Sequence, residues 1–129
     1  MARYVISPAA ERDMESILAW SEGRFGVQGR LRYEALLVQG ILDVADDPQR
    51  PGSHTRSEIA ASARTYHLSH SRMRVAADVG HVRRPRHFLL YRTREDGLVE
   101  IGRVLHERMD LPQQVPDVYR RQSADWGRE

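Results

Sequence analysis

Near its C-terminal end the chain carries the stretch "RVLHERMDL", residues 103–111, which places Arg103, His106, Glu107 and Arg108 close together. Those residue types could do acid–base work on a phosphate. Histidine or a carboxylate moves protons near neutral pH, and the planar arginine fork grips phosphate oxygens in pairs. Cleaving RNA through a 2′-hydroxyl needs such a set. Arg64 and Arg92 could join Arg103, His106 and Arg108, with Tyr66 or Tyr91 adding stacking or a proton. A second reading needs no reaction. In a strand, His106 stands on the face opposite Leu105 and would satisfy backbone groups at a sheet end. Arg103 and Arg108 would then pair with Glu107, Asp110 or acids of the N-terminal half.

Other chemistries find little support. The chain has no cysteine, so disulfides, thiolate nucleophiles and cysteine-bound metals are excluded. His67 and His70 lie close in sequence, as do His81 and His87. A three-residue separation in a strand points side chains to opposite faces. No Cys-x-x-Cys or His-Glu-x-x-His pattern occurs, and there is no nucleophile elbow or glycine-rich phosphate loop. No metal and no cofactor are expected.

The 129 residues suit one domain with a modest core. All 20 basic residues are arginine, against 18 acids, and they are unevenly spread. Residues 1–49 hold five arginines and eight acids, while residues 50–108 hold twelve and six. A basic middle suits an anionic partner, either nucleic acid or an acidic protein. No run is apolar enough for a membrane span, and Arg, Glu and Asp interrupt the N-terminus too early for a signal peptide. A cytoplasmic location without membrane contact is expected.

The elements that must position these residues follow from periodicity. Residues 3–7, "RYVIS", read as a first strand. Ser7 is a good N-cap, Pro8 suits the first helical turn, and Ala10, Met14, Ile17 and Leu18 recur at helical spacing. Gly23 and Gly26 mark that helix's end. A second helix is expected over 27–46, with Leu31, Ala35, Val38, Leu42 and Ala45 as its apolar stripe, widened by Leu37, Ile41 and Val44. The two form an antiparallel hairpin. Residues 48–58 read as loop. Residues 63–70 have strand character, and 71–86 form a long basic connection, exposed or extending the sheet. "HFLLYRT", 87–93, is a central strand. Asp96-Gly97 turns the chain into "LVEIGRVLHE", 98–107, where Val99, Ile101 and Leu105 alternate. The order predicts an α+β fold: N-terminal strand, helical hairpin, then a small, mostly antiparallel sheet.

The segments "YVISPAAERDMESILAW", the helical hairpin ending in "DDP" and "HFLLYRTREDGLVEIGRVLHERMDL", in this order, resemble the ParE branch of the RelE/ParE toxins of type II toxin–antitoxin systems. The resemblance covers about residues 3–112, "SPAAERD" and "VLHERMDLP" being its specific parts. It implies one toxin domain over 1–112; the extended basic connection at about 69–86 and the polar tail over 113–129 depart from the compact family pattern. It also implies a toxin that inhibits DNA gyrase by binding, without covalent chemistry, and is neutralised by a ParD-like antitoxin in a hetero-oligomeric complex. The RelE branch, which shares the fold, implies instead a ribosome-dependent mRNA endoribonuclease. A degenerate toxin that only binds antitoxin is a third reading.

On the binding reading, Arg72, Arg74, Arg83, Arg84, Arg86, Arg103, His106, Arg108 and Met109 are expected to contact the target. Trp20, Phe25, Tyr33, Leu37, Arg64, Tyr66 and Arg92 are expected to contact the antitoxin. The aromatics exceed what a small hairpin needs for its own packing, and the basic middle would speed association with an acidic partner.

Overall fold

The computed structural model describes residues 3–109 and Gln114. The chain runs through β1 (Tyr4–Ile6), α1 (Pro8–Asp46), β2 (Ser53–Thr55), β3 (Ala63–His67), a 3-10 helix (Leu68–Arg74), β4 (His87–Thr93) and β5 (Val99–His106). The α+β reading holds. Among the described residues no helix is long and apolar enough to cross a membrane.

Ser7 caps α1 as expected. Its hydroxyl accepts the Ala10 N–H at 3.0 Å and donates to the Gly102 carbonyl at 2.7 Å, so one side chain starts the helix and ties it to the sheet. Gly26, at φ +75° and ψ −175°, breaks the helix in a backbone region nearly closed to residues with a Cβ. The two arms fold back on each other. Met14 and Leu18 of the first share a groove with Leu37 and Ile41 of the second, and Arg30 meets Glu22 at 3.3 Å across the turn.

The second arm buries a different stripe from the one expected. Tyr33, Leu36, Leu37, Ile41 and Val44 face the sheet, whereas Leu31, Val38 and Leu42 stand exposed. Apolar residues surround most of this arm, so periodicity offered two faces, and only the sheet selected one. The three residues read as widening the stripe are its centre.

The sheet order is β1-β5-β4-β3-β2, with β1 parallel to β5 and the other pairs antiparallel. The first strand therefore lies beside a late one, and β4 is central, as its continuous apolar run implied. Strand β2 lies where a loop was expected. It is three polar residues with no apolar alternation, and its pairing with β3 defines it. A register shift at Leu90/Tyr91 sets Leu90 opposite Arg103 but Tyr91 opposite Ile101. That bulge breaks the expected alternation: Val99, Ile101 and Val104 join the core under the helices, and Leu105 is buried outside that cluster.

The basic connection is neither a β-extension nor wholly exposed. Its first part is the 3-10 helix, and Ser71 and Val75 are buried. The buried Asp43 of α1 holds it. Its carboxylate accepts from Arg74 Nε at 3.0 Å, Ser71 Oγ at 2.6 Å and Gln39 Nε2 at 2.9 Å. Tyr66 extends the network through Ser71 at 2.8 Å. The tail expected over 113–129, and Asp110 with it, lies outside the described residues except for Gln114, whose carbonyl accepts from Arg103 Nη1 at 2.9 Å.

Candidate functional site

The start of β4 and the end of β5 bring His87 opposite His106, with ring centroids 5.3 Å apart and planes at 86°. Both stand on the helix side, where the Tyr33 hydroxyl lies 2.6 Å from His87 Nδ1 and accepts the Arg86 N–H at 3.2 Å. Burial pushes Tyr33 up to about 12 and His87 down to about 4, with the neighbouring His106 adding to the latter. Both groups are therefore neutral at pH 7, and the tyrosine O–H donates to Nδ1. A neutral, buried, hydrogen-bonded pair makes a rigid floor.

Glu107, just beyond β5, accepts from His67 Nε2 at 2.9 Å and Arg86 Nη1 at 3.2 Å. The Ser69 N–H donates to His67 Nδ1 at 3.1 Å, so Nε2 carries the proton given to Glu107. The hydrogen bond from His67, then that from Arg86, holds the carboxyl below the usual carboxylate range. His106 accepts the Arg108 N–H on Nδ1 at 3.2 Å. It thus satisfies a backbone group at a sheet end, as its structural reading required.

The five residues considered for cleavage are spread out. Arg103 forks onto Asp13 at 2.7 and 2.9 Å, and Asp13 also accepts the Val104 N–H at 2.9 Å. That arginine, expected at a target surface, instead ties the bulged strand to the first helical arm. Arg64 donates to Ser53 Oγ at 2.7 Å, towards β2. Arg92 is buried 3.7 Å from Glu100, and it lies five residues along β4 from His87, about 17 Å at strand rise. His106 and Arg108 lie two residues apart at the end of β5.

The residues expected for partners divide in the same way. Leu37 and Tyr66 are core residues, and Arg92 is buried, so these three lie beneath the surface in this structure. Packing against the sheet took them, which a one-dimensional pattern could not show. Arg72 donates to the Val82 carbonyl at 2.5 Å, and Arg74 is committed to Asp43. Both brace the connection. Arg83, Arg84, Arg108 and Met109 are exposed.

One grouping was not foreseen. Trp20, Phe25 and Tyr33, read as antitoxin contacts, and Arg83, Arg84 and Arg86, read as target contacts, line a single cleft of about 400 Å³. Arg32 and His87 also line it. Gly80, at φ +93°, lets the connection close on α1; a Cβ there would lie 2.9 Å from Arg32 Cδ. The glycine and the density of arginine were visible in the sequence, but nothing in it said that residues 20–33 and 81–87 meet. Asp43 escaped notice for the same reason.

Comparison with known proteins matches the chain to a family. A model described as "ParE toxin of type II toxin-antitoxin system, parDE" matches residues 4–111. Two relatives called Toxin ParE1, from Mycobacterium tuberculosis strains CDC 1551 / Oshkosh and ATCC 25618 / H37Rv, are each 26% identical over 110 residues, covering 85% of this chain and 94% of the relative. With the strand–hairpin–sheet order and the motif segments falling inside the matched span, the chain belongs to the ParE toxin family of type II toxin–antitoxin systems.

Proposed function

We propose that this toxin arrests growth by binding DNA gyrase, with no bond chemistry of its own, and that a ParD-like antitoxin neutralises it in a hetero-oligomeric complex in the cytoplasm. Toxins of this family pair with an antitoxin. One observation carries the target reading. Arg64, Arg92 and Arg103, three of the side chains that cleavage would need, are each engaged with a different partner, while Arg83 and Arg84 stay exposed beside an aromatic wall. An exposed cationic surface suits recognition of an anionic macromolecular face.

The test adds purified toxin to a gyrase supercoiling assay and, separately, to translating ribosomes. The expected result is lost supercoiling with intact mRNA. Arg83→Glu with Arg84→Glu should abolish that inhibition and leave the thermal midpoint within a few degrees, because exposed substitutions change stability by about 0.5 kcal/mol or less. Codon-linked cuts with normal supercoiling would show the ribonuclease instead, and an effect on neither would show a toxin that only binds antitoxin.

A further inference from the structure

His67 and His70 would part if both stood in a strand, but His67 ends β3 and His70 lies in the 3-10 helix that follows. At a spacing of three, a 3-10 turn sets side chains one above the other. Both line a pocket of about 310 Å³ together with His54, Arg56, Phe88 and Glu107. The pocket opens on the sheet face away from α1. Tyr66 and Leu89 join the core under the helices, and His67 and Phe88 alternate with them along β3 and β4. His54 pairs opposite Thr65, whose hydroxyl accepts from Arg56 Nε at 3.1 Å and anchors that guanidinium. The backbone of Gly52 packs on the His70 ring, since a Cβ there would lie 2.7 Å from it. Burial, then His67, His54 and Arg50, push His70 down, so these groups all act on one imidazole. The nearby carboxylates already have partners. Glu107 accepts from His67 and Arg86, and Glu58 lies 4.0 Å from Arg56. Among the described residues no group of histidines and carboxylates is arranged to hold a metal ion, which directs the pocket to an anion.

We infer that this pocket binds a phosphate monoester of mononucleotide size, either free or at the end of a nucleic-acid strand. Donors arriving from β2, from β3 and from the 3-10 helix surround a tetrahedral oxyanion better than a planar carboxylate. Arg56 supplies a permanent charge, and His54 and His70 add theirs by taking up protons. His67 gives its Nε2 proton to the ligand in place of Glu107, so that carboxylate opposes binding. Phe88 offers an apolar ring to the organic part. The volume is at the small end of ligand sites, about 300–1,000 Å³, which suits one nucleotide. The site uses neither Arg83 nor Arg84 and does not rest on the gyrase reading.

The test follows the imidazole Hε1 resonances of the full chain by NMR during titration with adenosine 5′-monophosphate, each of the 6 histidines being assigned by its glutamine variant. Saturable shifts at His54, His67 and His70 are expected, with His81 and His87 unmoved. Affinity should fall about tenfold in Arg56→Gln and in His54→Gln, as for lost charge-assisted hydrogen bonds. It should rise about fivefold in Glu107→Gln, the factor for one like charge removed from about 4 Å in water. Circular dichroism shows whether each variant is folded, and His54→Gln decides if Arg56→Gln is not. Sulfate, a dianion throughout, should bind about tenfold more tightly at about pH 5.5 than at about pH 7.5, on either side of the ordinary histidine value. The inference is overturned by the absence of saturable shifts, by equal shifts at His81 and His87, or by adenosine binding as well as its monophosphate. Unchanged affinity in the folded variants, weaker binding in Glu107→Gln, or sulfate binding that ignores pH overturns it too. Two DNA hexamers separate the sources. Binding of the 5′-phosphorylated strand and not of its 5′-hydroxyl counterpart assigns a strand end, and binding of neither assigns the free nucleotide. Equal binding of both at these histidines overturns the monoester site.

Discussion

Acidification should destabilise this toxin through His87. The perturbation is a shift from about pH 7.5 to about pH 5, compared in the natural chain and in His87→Gln. Burial lowers the folded-state value to about 4, chiefly by desolvation and then by His106 and His67, with Glu107 and Asp13 opposing. The unfolded chain keeps the ordinary value near 6.5. As pH falls, the unfolded state takes up the proton first, so stability is intact above 6.5 and is lost progressively down to about 4. The full difference corresponds to roughly 3 kcal/mol, of which about 2 kcal/mol is lost by pH 5. Denaturant melts should register this as a midpoint drop on the order of 1 M urea. His70 is also lowered, chiefly by burial, and shifts stability in the same direction. The diagnostic quantity is therefore the natural chain's pH-dependent loss minus that of His87→Gln, which removes only the contribution of His87 and keeps a polar group near Tyr33. Equal losses in the two proteins, or stability that rises on acidification, would refute the reasoning.

Removing Asp43 strips the buried anchor of the basic connection, so Asp43→Ala should cost about 3 kcal/mol in chemical denaturation and raise proteolysis between Leu68 and Arg86. Asp13→Ala should cost about 2 kcal/mol, and Arg103→Ala should add little in that background, giving a coupling energy of at least about 1 kcal/mol in a double-mutant cycle. Gly26→Ala forces a Cβ into φ +75° and should lower stability by about 2 kcal/mol, read from the same melts. Association with the antitoxin, followed by stopped-flow tryptophan fluorescence, should slow as salt rises, because steering between an arginine-rich surface and carboxylates is screened.

Local rules were sufficient for much of this fold. Ser7 and Pro8 start the first arm because capping is satisfied within one turn of chain, and Gly26 ends it because few other residues accept its backbone angles. Strands β4 and β5 and the Asp96-Gly97 turn were readable from continuous apolar runs and turn chemistry, and the motif segments carried the family. Strand β2 was not readable, since three polar residues become a strand only when β3 lies alongside.

What the sequence determined by itself was the set of elements, the excess of arginine in residues 50–108 and the absence of thiol chemistry. Tertiary structure alone decided which face of 27–46 is buried, which arginines are spent on Asp13 and Asp43, and that the aromatics of the hairpin turn meet Arg83 and Arg84 in one cleft. The physical reason is range. Helix caps, turns and strand periodicity are set by neighbours a few positions apart, whereas burial and ion pairing depend on contacts such as Arg103 with Asp13, which lie 90 residues apart along the chain.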